Sequence, residues 1–183
     1  MKEWNKIKTP FDASLIESLR SGGRFLLTGT VYAARDKAHQ RLCAMAARGE
    51  ELPFDPAGQV IYYMGPSPAP PGRVIGSAGP TTSSRMDPFT AEILKLGVKG
   101  MIGKGKRDAA TRALLREYRA VYFATFGGAG AYLARRITGS DLVAFEDLGA
   151  EAIYRLRVED FPIIVVNDIY GGDLYEDAIR KRQ

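Results

Sequence analysis

The residues best suited to chemistry fall between Gly76 and Lys106, in GSAGPTTSSRMDPFTAEILKLGVKGMIGKGK. Ser77, Thr81, Thr82, Ser83 and Ser84 supply hydroxyls in a loop broken by Gly and Pro. Arg85 stands where a helix begins, and Lys104 lies between Gly103 and Gly105 at the end of a short strand. A helix N-terminus offers unpaired N–H groups and partial positive charge. With two full cations nearby, the stretch suits a small ligand carrying carboxylates or phosphates. Thr81 and Thr82 have two readings on pattern alone: they cap the helix, or a hydroxyl takes part in the chemistry. Arg85 in a first helical turn opposes the helix dipole, which hints at a use other than helix stability.

Arg35 and His39 form a second group, in AARDKAH. Arg35 stands where a strand gives way to a helix, a junction at which ligands bind in α/β proteins. Its alternative is an ion pair with a nearby acid. His39 is the only histidine and follows Arg35 by one helical turn. It reads as a general base titrating near neutrality or as a structural helix residue. Other patterns carry less. Gly103-Lys104-Gly105 lacks the GxxxxGK[ST] of a nucleotide loop. Gly127-Gly128-Ala129-Gly130 lacks the spacing and distal acid of a dinucleotide fingerprint, so close helix packing explains it. Glu146 and Asp147 are adjacent, point apart on an extended chain, and make a poor acid–base pair.

The elements that hold these residues alternate. Residues 1–22 form a lead-in with a short helix capped at Asp12 or Ser14. Gly23–Tyr32 reads as a buried strand, followed by a helix with Ala38, Leu42, Met45 and Ala46 at helical spacing and Gly49 near its stop. Gln59–Met64 is a strand, and the Pro-rich loop after it forms a stiff wall of the site. A helix with Phe89, Ile93 and Leu96 inward, a strand to Lys104, the helix AATRALLREY, the strand AVYFATF and the helix AYLARRI come next. Two strands separated by Glu146-Asp147, a further buried strand FPIIVV and an amphipathic helix close the chain. The pattern predicts an α/β layered fold with a mixed sheet flanked by helices, in a single domain over 1–183.

The sequence has 183 residues, 45% hydrophobic and 26% charged, enough for a real core. No apolar run approaches a membrane span and no signal segment leads it, so a cytoplasmic protein without a membrane partner is expected. Net charge is +5, but basic and acidic residues alternate and no nucleic-acid motif occurs, so nucleic acid is not the expected partner. The one cysteine, Cys43, excludes an internal disulfide and any metal site built from several cysteines of this chain.

GPTTSSRMD, MIGKG, YFATFGGAGAYLA, FEDLGAEAIYRLRVEDFP and the ARDKAH segment, blocks that occur in the right order over about residues 8–175, resemble the C-terminal domain or separate β subunit of class I fumarate hydratases and L(+)-tartrate dehydratases. The resemblance implies a swivelling β/β/α fold and reversible hydration of a C4 dicarboxylate. It implies a [4Fe–4S] cluster acting as Lewis acid on the substrate hydroxyl, carried by a partner α subunit, because Cys43 matches no cluster ligand. A hetero-oligomer, inactive without that subunit, is the expectation. Carried over by motif position, Thr81 is the catalytic base and Arg35, Arg85 and Lys104 bind substrate carboxylates, with Lys106 and Arg107 as alternates to Lys104. Metal ligands are expected from none of this chain's residues. The substrate is fumarate/malate or tartrate. A non-enzymatic module that binds anionic metabolites is the reading from a different class.

Overall fold

The computed structural model describes residues 4–181. In chain order the elements are β1 (Asn5–Lys8), α1 (Ala13–Ser18), β2 (Arg24–Ala33), α2 (Asp36–Ala47), β3 (Val60–Tyr62), α3 (Asp87–Lys95), β4 (Gly100–Gly103), α4 (Ala109–Glu117), β5 (Val121–Ala124), α5 (Gly130–Ala134), β6 (Ile137–Ala144), β7 (Ile153–Asn167) and α6 (Leu174–Arg180). Short 3-10 turns occupy Ser83–Met86 and Glu146–Glu151. No helix among the described residues is long and apolar enough to cross a membrane.

The strands form one mixed sheet in the order β1-β2-β3-β4-β5-β7-β6. β1 to β5 run parallel to their neighbours, and β7 runs antiparallel to β5 and β6. β7 also pairs with β2, from Arg24↔Ile164 to Ala33↔Tyr154. The sheet therefore curls into a partly closed barrel of β2, β3, β4, β5 and β7. A bulge supplies part of the bend: the β2–β7 register shifts between Leu27 and Gly29, opposite Asp160, which has φ 47. Gly29 sits at φ 128, and a Cβ there would collide with Thr9 Oγ1, so this corner admits no side chain.

Period-two alternation divides the strand side chains into two cores. Tyr62, Ile102, Phe123 and Leu156 point into the barrel with Leu27, Val31 and Phe161, and α1 and α5 add Ile16 and Leu133. Their sequence neighbours Ile61, Tyr63, Met101 and Tyr122 face outward, beneath Ala38 and Leu42 of α2, Ile93 of α3 and Leu115 of α4. Each such side chain buried contributes about 1.5–3 kcal/mol. A one-residue slip would turn every one of them to the wrong face, so the two cores fix where each strand ends.

The expected mixed sheet with flanking helices is present, with two differences. The lead-in helix exists as α1, and Asp12 caps it by accepting from the Leu15 N–H at 2.8 Å. Residues 1–3 of the lead-in lie outside the described residues, but Asn5–Lys8 forms a parallel edge strand on β2. Only Ile7 of that strand is buried, and lysine-flanked edge strands carry little pattern. The two closing strands are one: β7 runs unbroken through Asp160, where a Glu-Asp pair in sequence resembles a turn.

Candidate anion-binding site at the strand ends

β2, β3, β4 and β5 are parallel and end on one edge. The chemistry-bearing residues follow those ends: Arg35 after β2, Thr81 to Arg85 in the connection after β3, and Lys104 directly after β4. That edge is where open α/β sheets bind ligands, because backbone loops and helix starts converge there.

Arg35 takes the N-cap position of α2 with extended backbone, φ −119 and ψ −166. His39 secures it from one turn below. The His39 N–H donates to the Arg35 carbonyl at 2.9 Å, and His39 Nδ1 lies 2.8 Å from the same oxygen. A carbonyl only accepts, so Nδ1 carries the ring proton. Gly65 flanks the guanidinium: a Cβ there would lie 3.0 Å from Arg35 Cδ and 2.7 Å from the Ala150 carbonyl.

Thr81 to Ser83 knit the long connection onto the end of β4. The Thr81 N–H donates to the Tyr63 carbonyl at 2.7 Å and the Ser83 N–H to the Lys104 carbonyl at 2.9 Å. Thr82 bridges Lys104 in parallel register, and the Lys104 N–H donates to Ser83 Oγ at 3.0 Å. The Tyr122 hydroxyl lies 2.8 Å from both Ser83 Oγ and the Gly105 carbonyl. Tyr122 must donate to the carbonyl, so Ser83 donates to Tyr122. Ser83 is thus a fully buried structural pin, a role hidden in sequence among five similar hydroxyls. A buried tyrosine on β5 that needs a hydroxyl partner was the available signal. Gly103 makes room for it, since a Cβ there would collide with Ser83 Oγ.

The hydroxyls do not cap a helix. α3 begins at Asp87, with Met86 as its N-cap and Pro88 in its first turn. The 3-10 turn before it has Thr82 at its N-cap, and neither start receives a side-chain cap. Arg85 therefore belongs to the 3-10 turn and not to the first turn of an α-helix, and the dipole conflict read from sequence does not arise there.

Arg35 and Arg85 meet at one carboxylate. Asp36 Oδ2 lies 2.7 Å from Arg85 Nη2 and 3.6 Å from Arg35 Nη2. Glu151 Oε1 stands 3.7 Å from Arg35 Nη2, and its Oε2 accepts from the Lys37 N–H at 3.3 Å. Lys104 is exposed and enters no ion pair among the described residues. The two alternates to it are committed elsewhere. Lys106 pairs with Glu176 at 3.0 Å. Arg107 has a side chain with 0% exposure, bonded to Asp87 at 2.5 Å, and it reaches Thr90 Oγ1 at 2.6 Å.

Two clefts of about 400 and 470 Å³ flank the Pro66–Ser77 loop, and neither is lined by Arg35, Thr81, Arg85 or Lys104. The loop walls those clefts and not the site, contrary to the expectation from sequence; only Gly65, just before it, approaches Arg35. At the Gly127–Gly130 turn, Gly130 packs against residues 77 and 78 that follow the loop: the Ala78 N–H donates to the Gly130 carbonyl at 3.1 Å, and a Cβ on Gly130 would collide with Ser77 Oγ.

His39 is 1% exposed, edge-on to Tyr63 at 5.4 Å, and burial lowers its pKa to about 4. Of its two readings the structure supports the structural one. The unfolded chain takes up a proton near pH 6.5 that the folded chain refuses until about 4. The stability tied to His39 is therefore complete above pH 6.5 and lost as pH falls toward 4, by about 3 kcal/mol in all. Urea midpoints measured across that window should fall more steeply for the wild type than for His39→Gln. Parallel slopes would show that the ring is not held neutral.

Among the described residues, no group of three or more His, Cys, Asp or Glu side chains converges to hold a metal. Cys43 stands alone on α2, half-buried, with burial pushing its thiol up. These residues do not fit a [4Fe–4S] cluster, which needs several thiolates.

The sequence that folds into this mixed α/β barrel matches a known family model. The family described as "Fumarase C-terminus" covers residues 5–178, and the chain belongs to it. A Methanocaldococcus jannaschii protein assigned as L(+)-tartrate dehydratase subunit beta is 36% identical over 91% of this chain and 88% of its own. Leishmania major fumarate hydratase 1, mitochondrial, is 39% identical over 84% of this chain. Escherichia coli (strain K12) fumarate hydratase class I, anaerobic, is 36% identical over 87% of it. The chain spans only 28% and 29% of those two fumarate hydratases.

Proposed function

We propose that this chain is the β part of a class I hydro-lyase, of the swivelling β/β/α type, that interconverts fumarate and malate. The observation that carries the reading is the pairing of Arg35 and Arg85 at the strand ends, beside Lys104, which enters no ion pair among the described residues, and Thr81, which caps no helix. Arginine grips a carboxylate with two parallel donors, and a C4 dicarboxylate presents two such groups. Thr81 would take the proton from the carbon next to a carboxylate. The charge that then spreads into that carboxylate meets the guanidinium and ammonium donors, which stabilise it more in the transition state than in the substrate. A threonine hydroxyl is a weak base and needs activation. Since α3 starts only at Asp87, its N-terminus is a poor activator of Thr81. Lys104, whose backbone bridges Thr82, is the better candidate. The cluster and the remaining part of the site would come from an α subunit, in a cytoplasmic hetero-oligomer.

A second reading is the β subunit of L(+)-tartrate dehydratase. It is favoured by the match across 88% of the Methanocaldococcus jannaschii protein. Co-expression with a cluster-bearing subunit under anaerobic conditions, with fumarate, malate and tartrate assayed in parallel, tests both. Turnover of fumarate and malate is the expected result, and preference for tartrate selects the second reading. A cluster-loaded complex that turns over none of the three overturns both.

A further inference from the structure

We propose that Asp36 is a positioning residue, the internal anion that aligns Arg35 and Arg85 for a substrate carboxylate; this rests on the hydro-lyase reading above. Asp36 opens α2, while Arg85 sits on the separate 3-10 turn Ser83–Met86. One oxygen, Oδ2, meets both guanidinium groups, at 2.7 Å for Arg85 and 3.6 Å for Arg35. Both Asp36 oxygens are buried, and among the described residues neither has a hydrogen-bond partner, so Oδ2 is met only by the two ion-pair contacts. The two arginines are therefore its only ion-pair partners among the described residues. A carboxylate at the first turn of a helix is favoured by the dipole, but the dipole does not require two arginines from different elements to converge on it.

The asymmetry of exposure points the same way. The Arg85 side chain is 54% exposed and that of Asp36 only 20%. Without its partner Arg85 would be a long surface side chain free to sample many rotamers. With it, one edge of the guanidinium is fixed and the group is held at the strand-end edge. Asp36 also cancels one of the two positive charges that would otherwise repel each other. Glu151, at 3.7 Å from Arg35, plays a lesser part from the Glu146–Glu151 turn.

Asp36 has one competing role: a resident anion that substrate must displace from Arg85. The two differ in kinetics. Asp36→Asn keeps size and removes charge. A positioning role lowers kcat of the assembled enzyme by about tenfold to a hundredfold, as small misplacements of binding groups do, without improving KM. A displaced anion instead lowers KM and leaves kcat intact, and that result overturns the proposal. Asp36→Glu, which keeps the charge, should recover part of the lost kcat. The decisive comparison is a double-mutant cycle. Because Asp36 acts through both arginines, adding Asp36→Asn to Arg85→Ala costs clearly less than it does in the wild type, with only the alignment of Arg35 left to lose. Full additivity overturns the proposal. Wild-type complex assayed alongside separates the outcomes: if it turns over no dicarboxylate, the hydro-lyase reading fails, whereas an active wild type with an unaffected Asp36→Asn fails this inference alone. Thermal unfolding of each variant confirms that the losses are not losses of fold.

Discussion

Thr81→Ala is expected to lower kcat of the assembled enzyme by about a hundredfold to ten-thousandfold, the range that a positioned proton-transfer group supplies. The backbone around Thr81 is held independently of its side chain. Its N–H donates to the Tyr63 carbonyl at 2.7 Å, Thr82 bridges Lys104, and Ser83 pins the next residue through Tyr122 and Lys104. Neither the 3-10 turn nor α3 takes a side-chain cap from this segment. Alanine therefore removes a hydroxyl and leaves the scaffold and the three cations in place. Substrate affinity should change little, because Arg35, Arg85 and Lys104 would still hold the carboxylates, so the loss falls on kcat rather than KM. Thr81→Ser keeps the hydroxyl and should retain most of the turnover. Steady-state kinetics and a dicarboxylate titration on the same preparations check both parts. Near wild-type turnover by Thr81→Ala would reduce Thr81 to a loop residue and move the base to another side chain.

The same segment shows what a sequence displays and what it hides. The β2–α2 junction at Arg35 was legible because a run of apolar and β-branched residues changes to helical spacing there, and the structure places Arg35 at the N-cap of α2. The family was legible in its motif blocks, and the match over residues 5–178 bears that out. The partner of Arg85 was not legible, since residues 36 and 85 meet only after β2 and β3 pair in parallel. Ser83 was indistinguishable by type from Ser84, yet one is buried under Tyr122 and the other is exposed. Arg107 looked like a neighbour of Lys104. Two residues past the turn at Gly105 (φ 84) it is buried beneath α3. Periodicity reports which face an element buries. It does not report which polar group from a distant strand will need a given charge.

Arg107 also carries the largest stability effect expected of a single substitution. Its guanidinium bonds Asp87 at 2.5 Å and Thr90 Oγ1 at 2.6 Å. It lies 5.4 and 5.1 Å from the ring centres of Tyr63 and Tyr122. Asp87 in turn accepts from the Asp108 N–H at 3.1 Å, at the start of α4. One ion pair thus ties the start of α3 to the β4–α4 turn, directly behind Arg85 and Lys104. A buried pair of this kind adds modest net stability, because desolvating both charges offsets their attraction. Breaking it is different: Asp87→Ala strands a guanidinium with 0% exposure, at a cost of about 3–5 kcal/mol. At roughly 2–4 °C per kcal/mol for a domain of this size, Tm should drop by about 10 °C. The double variant Asp87→Ala/Arg107→Met removes the stranded charge, so it should be more stable than Asp87→Ala alone. Calorimetric or urea unfolding of the three proteins decides it. A double variant no better than the single one would mean that the cost lies in lost packing, and that the charge pair does not organise this side of the site.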